Sequence, residues 1–173
     1  MATTIKRTGY GQVEPNHLSA QRTGQQYAQL IAKSTINLLE NGQFVKYDYE
    51  NREVNFTGAG EWLLVFNEIK NYDPRKKGYK YFAMRKTDYV DGEMVPRCVK
   101  LNVGDTYTTN TLEAFAGEEV ETTGVSISVG DTLTPGSDGY LTAAGQDDTY
   151  ILKVVAITTM PDAQAAVKLQ RIS

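Results

Sequence analysis

Residues 129–157 read VGDTLTPGSDGYLTAAGQDDTYILKVVAI. The pattern predicts a short strand, a glycine-rich turn, a second short strand and then a long apolar strand. No side chain in it stands out as catalytic. Such a compact β unit is typical of a protein that binds and braces a partner, and function must therefore be inferred from architecture.

A second β block precedes it. Gln43 to Tyr49 alternates between two faces, and Glu50-Asn51 turns the chain into Arg52–Phe56, which predicts a hairpin. The apolar run from Trp62 to Phe66 is short enough for a strand that is buried on both faces. Further strands are expected over 81–85 and 94–103, with a turn at Asp91-Gly92 and a loop over 70–80. Residues 27–39 are ambiguous and favour one short helical turn or none.

The predicted fold is therefore mainly β, with one or two small β-barrel or sandwich modules preceded by an extended N-terminal arm. The arm covers residues 1–26, a β-rich module covers 27–116, and a C-terminal β module covers 117–173. A polar link over 113–124 separates the two modules. The arm has only isolated apolar points among Gly, Thr, Gln and Asn, namely Ile5, Tyr10, Val13 and Leu18. It is not expected to build its own core, so it is either disordered or laid along a partner.

The two β blocks resemble each other. Asn41-Gly42 and Val129-Gly130 each place a glycine just before a strand, and Val103-Gly104-Asp105-Thr106 echoes Val129-Gly130-Asp131-Thr132. An internal duplication is one interpretation. The other is that turns favour Gly and Asp in general, because they need positive φ and side-chain to backbone hydrogen bonds.

Composition excludes some functions. The 173 residues carry a formal net charge of −3, which argues against a nucleic-acid binder that works by neutralising phosphates. The single cysteine, Cys98, excludes an intrachain disulfide. No signal peptide is visible, and the longest apolar stretch, 151–157, is too short to span a bilayer.

Enzyme chemistry is not indicated. His17 and Cys98 lie far apart in the sequence, and Cys98 is expected to be a small buried residue. The acidic pairs Glu118-Glu119 and Asp147-Asp148 lie in polar connecting segments and are expected to be solvated. The common phosphate-loop, dinucleotide and hydrolase motifs do not occur. We expect no catalytic residue, no metal and no cofactor, although an enzyme site assembled from loops would not be visible in the sequence.

The motifs of residues 129–157, with the segments Glu40–Asp48 and Gly60–Val65, resemble those of capsid decoration (cement) and head-fibre proteins of tailed bacteriophages. The resemblance implies a virion protein, made in the host cytoplasm, that binds the outer surface of an assembled head and stabilises contacts between capsomers. Its expected partner is the major capsid protein. It would be a homo-oligomer, with a trimer favoured and a dimer as the alternative, and would bind neither nucleic acid nor membrane.

On this interpretation Ile5, Tyr10, Val13 and Leu18 anchor the arm on the capsid, and deleting residues 2–24 leaves the β core folded. A different class stays open, a carbohydrate- or host-surface-binding β module such as a head fibre or tail accessory protein. Its surface contacts would be the exposed loop residues Tyr72, Arg75, Lys76, Lys77 and Tyr79.

Overall fold

The computed structural model describes residues 2–20, 26–67, 75, 82–113, 124–146 and 148–173. The described chain is mainly β, as predicted, with sixteen strands and two 3-10 turns, Lys86–Asp88 and Val90–Gly92. The strands are β1 (Thr3–Ile5), β2 (Val13–His17), β3 (Gln26–Tyr27), β4 (Ile31–Ala32), β5 (Leu38–Glu40), β6 (Phe44–Asp48), β7 (Glu53–Asn55), β8 (Trp62–Val65), β9 (Ala83–Arg85), β10 (Cys98–Val99), β11 (Thr106–Thr109), β12 (Val125–Ile127), β13 (Thr132–Pro135), β14 (Leu141–Ala143), β15 (Leu152–Thr159) and β16 (Ala165–Arg171).

The strands form two six-stranded sheets and two small pairs. The first sheet has the order β3-β10-β8-β6-β7-β4, and the second has the order β14-β13-β15-β16-β11-β2. The pairs are β1 with β12 and β5 with β9. None of these sheets closes into a barrel, so the architecture is of the sandwich type.

Two hydrophobic clusters pack against the sheets. The inner core joins both sheets, with Phe44 and Leu64 from the first and Leu152 and Leu169 from the second, all fully buried. The outer core lies on the opposite face of the first sheet and includes Val45, Tyr47, Leu63 and Val65 under a cover of loop and short-strand residues. Alternate residues of β6 and β8 therefore enter different cores. This confirms that the run starting at Trp62 is buried on both faces.

The predicted hairpin is present. Strand β6 pairs with β7 in the register Tyr47↔Val54, and the turn between them includes Arg52 at a φ of 55°. The C-terminal prediction is also confirmed, because β13 and β14 form a hairpin and β15 follows as the long strand. Residues 27–39 contain β3, β4 and β5 with a turn between the last two, and the described part of this segment has no helix.

The two sheets are built in the same order. Reading from β11, the second sheet runs β11-β16-β15-β13-β14, and Leu112 bridges in parallel to Leu141 of β14. The first sheet runs β3-β10-β8-β6-β7 and then β4, which is also parallel to its neighbour. The other steps are antiparallel in both sheets. The chain thus contains two repeats of one topology, the first repeat (residues 26–99) and the second repeat (residues 106–171).

By sheet membership, the boundary between the modules differs from the predicted one. Strand β11 belongs to the second sheet, where it pairs with β16, so the division falls between Val99 and Thr106 and not at residue 116. Much of the polar link, residues 114–123, lies outside the described residues. Local composition did not reveal this, because β11 finds its partner some sixty residues further along the chain.

The expected N-terminal arm requires a correction over residues 2–20. Strand β1 pairs with β12, and β2 adds to the edge of the second sheet beside β11. The side chains of Ile5, Val13 and Leu18 enter the inner core. The segment carries too few apolar residues to form a core alone, but it completes a core whose other residues come from both repeats.

Candidate functional site

The residues predicted to anchor a capsid-binding arm do not form an exposed site. Ile5, Val13 and Leu18 are 0%, 8% and 3% exposed, and Tyr10 is half-buried. In the folded chain these side chains contact the protein's own interior.

A buried polar cluster holds this segment in place. Arg7 Nη1 lies 2.9 Å from Glu40 Oε2, and both side chains are fully buried. The same carboxylate accepts a hydrogen bond of 2.6 Å from the backbone N–H of Gly11 and one of 2.7 Å from the hydroxyl of Tyr140. Glu40 thus joins the N-terminal segment, the first repeat and the second repeat. Burial lowers the pKa of Arg7, against the opposing effect of Glu40.

Most of the predicted surface loop, residues 70–80, lies outside the described residues. Tyr72, Lys76, Lys77 and Tyr79 lie outside the described residues. Arg75 is described and exposed. The prediction that these residues contact a partner stays a prediction.

Three other tyrosines line one cleft of about 440 Å³, which we call the tyrosine cleft. The residues that line it are Tyr27, Tyr47, Asp48, Tyr49, Glu50, Ala59, Gly60, Glu61, Leu63 and Lys100. The rings of Tyr27 and Tyr47 meet edge to face at 5.4 Å, and those of Tyr47 and Tyr49 at 5.8 Å. Tyr47 is buried, whereas Tyr49 is 66% exposed. The row of rings therefore runs from the outer core to the solvent.

The charged side chains of the cleft are held by neighbours. The backbone and side-chain N–H groups of Asn51 donate to Asp48 at 3.0 and 2.8 Å, and they hold the pKa of Asp48 below its ordinary value. Glu61 accepts from Lys100 at 2.7 Å and from Arg171 at 2.6 Å. Burial raises the pKa of Glu61, but these two hydrogen bonds and charges outweigh it, so the pKa is lowered.

The second sheet presents a polar surface away from the inner core. We call it the outer face and define it by Thr106, Thr132, Lys153, Val155, Lys168 and Gln170, which are all exposed or half-exposed. Thr132, Lys153, Gln170 and Thr106 stand opposite one another in a row across four strands. In the first sheet the equivalent face is covered by the outer core. Within the described residues, the outer face carries no comparable hydrophobic cover.

Reactive groups are sparse in the described part of the chain. Cys98 is fully buried, and burial raises the pKa of its thiol, which agrees with its prediction as a small core residue. Across the described ranges, no group of three or more His, Cys, Asp or Glu side chains is placed to hold a metal ion. No helix among these residues is long and apolar enough to cross a membrane.

The sequence pattern grouped two of the three tyrosines but did not predict the cleft. Alternation in 43–49 places Tyr47 and Tyr49 on one face, but Tyr27 joins them only because β3 pairs with β10, which brings it to the same side of the sheet. Comparisons with protein-family models, curated proteins and solved structures find no match to this chain. What the protein does is therefore inferred from its residues and their geometry.

Proposed function

We propose that the protein is a structural virion component that binds the outer surface of an assembled phage head and stabilises contacts between capsomers. Its partner is the major capsid protein, and it acts as a homo-oligomer, with a trimer favoured and a dimer as the alternative. The observation that carries the proposal is the outer face. The residues that give the resemblance to decoration proteins, 129–157, build β13, β14 and β15, which are half of the sheet that presents this face.

The outer face suits a broad protein surface. It is polar and carries two lysines, Lys153 and Lys168, against one carboxylate, Glu14 on the edge strand β2, whereas the chain as a whole has a net charge of −3. An acidic patch on the shell is the complementary surface. The four strands that carry the residues of the outer face have four to eight residues each. At about 3.3 Å per residue and a strand spacing of about 4.8 Å, the face measures on the order of 400 Å².

An interface of this size binds weakly by itself, because stable complexes bury about 800 Å² on each partner. Several copies in an oligomer, each docked on the same lattice, raise retention by avidity. Binding to the assembled shell alone also stabilises that shell by linkage. Weak single contacts are therefore compatible with a bracing role.

The test is binding to emptied, expanded heads of the phage that encodes the protein, with occupancy read from symmetric density on the shell and from co-sedimentation. We expect the double substitution Lys153→Glu with Lys168→Glu to lower occupancy at least tenfold. The matched control is Lys33→Glu, at a partly exposed lysine of the first repeat that forms an ion pair with Glu53. It should bind as the unmodified protein does.

Two results would contradict the proposal: no density on the shell, or equal loss of occupancy in the control and the double variant. Light scattering on the free protein gives the subunit number, and a monomer at working concentration would remove the avidity argument.

A second function, carbohydrate or host-surface binding, is favoured by a separate observation, the tyrosine cleft.

A further inference from the structure

We propose that the tyrosine cleft binds a neutral saccharide, with the exposed ring of Tyr49 as the stacking surface. This inference concerns the first repeat and is independent of head binding through the outer face of the second. The volume of about 440 Å³ falls within the range of roughly 300–1,000 Å³ found for small-molecule sites.

The aromatic part of the cleft is held in place before any ligand arrives. Tyr49 packs edge to face on Tyr47, which is buried and packs in the same way on Tyr27. The hydroxyl of Tyr47 accepts a hydrogen bond of 3.4 Å from the backbone N–H of Gln29. A fixed ring that is 66% exposed offers an apolar face to solvent at little entropic cost on binding. The C–H face of a sugar ring is a suitable partner.

The polar part of the cleft favours hydroxyl groups over ions. Asp48 is held by Asn51 and Asn55, and Glu61 by Lys100 and Arg171, so the orientation of both carboxylates is fixed. The charge of Glu61 is also compensated by its two cations. Each carboxylate oxygen has more than one lone pair, and Lys100 has three N–H donors. A ligand with many hydroxyls can use these groups without bringing a charge of its own.

Other ligand classes fit less well. Three carboxylates line the cleft, Asp48, Glu50 and Glu61, against one lysine, which disfavours a phosphate or a nucleic-acid backbone. A cation would gain from the tyrosine rings, but the ion pair of Glu61 with Lys100 places a positive charge at the same rim. A neutral saccharide is repelled neither by the carboxylates nor by Lys100, because it carries no charge.

The experiment uses the full chain on an array of neutral glycans, followed by titration calorimetry with the strongest glycan found. Tyr49→Ala should weaken binding at least tenfold, while Tyr49→Phe keeps the ring and should stay within about twofold. The control Val103→Ala removes a side chain that is also 66% exposed but does not line the cleft, and it should bind as the unmodified protein does.

An array without a signal that depends on Tyr49 overturns the inference. So does selective binding of a trimethyl-lysine peptide in the same titration when no glycan binds, since the cleft would then recognise a cation. The circular dichroism spectrum of Tyr49→Ala checks that the fold is kept. Head occupancy of this variant is measured in parallel and should be unchanged, which separates failure here from failure of the proposed function.

Discussion

The buried ion pair between Arg7 and Glu40 connects parts of the chain that are distant in sequence. Glu40 begins the turn that precedes β6, Arg7 follows β1, and Tyr140 comes from the hairpin of the second repeat. Two charges taken out of water are stabilising only when each is paired and hydrogen-bonded. The additional donors from Gly11 and Tyr140 meet that condition for the carboxylate.

Replacing Arg7 by Met should lower the free energy of unfolding by about 3–5 kcal/mol, because Glu40 is left buried without its cation. The matched control is Lys33→Met, which removes the cation of the partly exposed pair Lys33–Glu53. It should cost less than about 1 kcal/mol. Urea denaturation measures both, and equal effects would contradict a dominant role for the buried pair.

Glu61 gives a pH dependence with a definite sign. Its pKa is lowered in the folded protein, so its ion pairs stabilise the fold above the unfolded pKa of 4.5 and are lost as pH falls through the folded pKa. Glu61→Gln should therefore be less stable than the unmodified protein at pH 7, by roughly 0.5–1 kcal/mol for so exposed a group. The difference should shrink as the pH falls below 4.5 and through the lower folded pKa, because Glu61 then becomes neutral like the glutamine. Urea midpoints across pH 3–7 test this, and a constant difference would contradict it.

At the scale of the elements, one turn recurs three times, over Glu40–Gln43, Asn102–Asp105 and Ser128–Asp131. The third residue is a glycine with a φ of 96°, 96° and 101° in turn. The side-chain oxygen of the fourth residue accepts from the backbone N–H of the first at 2.6, 2.9 and 2.8 Å. The glycine N–H then donates to a neighbouring strand, to Val65, Arg171 and Val154.

The same turn precedes a strand in three places. Turn chemistry alone therefore explains why residues 103–106 resemble residues 129–132 in sequence. It does not explain the shared strand order of the two sheets. The sequence indicated the hairpins and turns because these are local. The sequence could not distinguish an internal duplication from coincidence, because the side chain that accepts the hydrogen bond within the turn is Gln43 in the first repeat and Asp131 in the second.

The three glycines should respond differently to alanine. A Cβ at Gly104 or Gly130 meets nothing within 4 Å, so Gly104→Ala and Gly130→Ala should each cost only the left-handed backbone penalty, about 1–2 kcal/mol. At Gly42 the Cβ would clash with the hydroxyl oxygen of Thr111 and lie 2.6 Å from its Cβ. Gly42→Ala should therefore cost clearly more than either. Thermal unfolding of the three variants measures the order, and equal losses would show that the contact with Thr111 relaxes freely.

At the scale of the whole molecule, the N-terminal segment serves the second repeat. Its strands pair with β12 and β11, and its apolar side chains enter the inner core that both repeats share. In the first repeat, β5 pairs instead with β9, which lies within that repeat. Isolated apolar residues among glycines resemble an arm in sequence, since a core built from distant segments leaves no local periodicity. That is why the fold class was predictable and the place of residues 2–20 was not.

Deleting residues 2–20 should therefore unfold the protein, which reverses the expectation drawn from the sequence. Ile5, Val13 and Leu18 each contribute about 1.5–3 kcal/mol by burial, and the buried ion pair is lost with them. A total near 5–9 kcal/mol is comparable to the whole stability of an ordinary domain.

Circular dichroism and the heteronuclear NMR spectrum measure the outcome of this deletion, with a chain that begins at Thr3 as the control that keeps β1. Adding a synthetic peptide of residues 2–20 should restore dispersed signals, since the peptide supplies the missing strands. A truncated chain that still melts cooperatively near the temperature of the control would show that the segment only lies against a core that is complete without it, and the interpretation as a partner-binding arm would regain its basis.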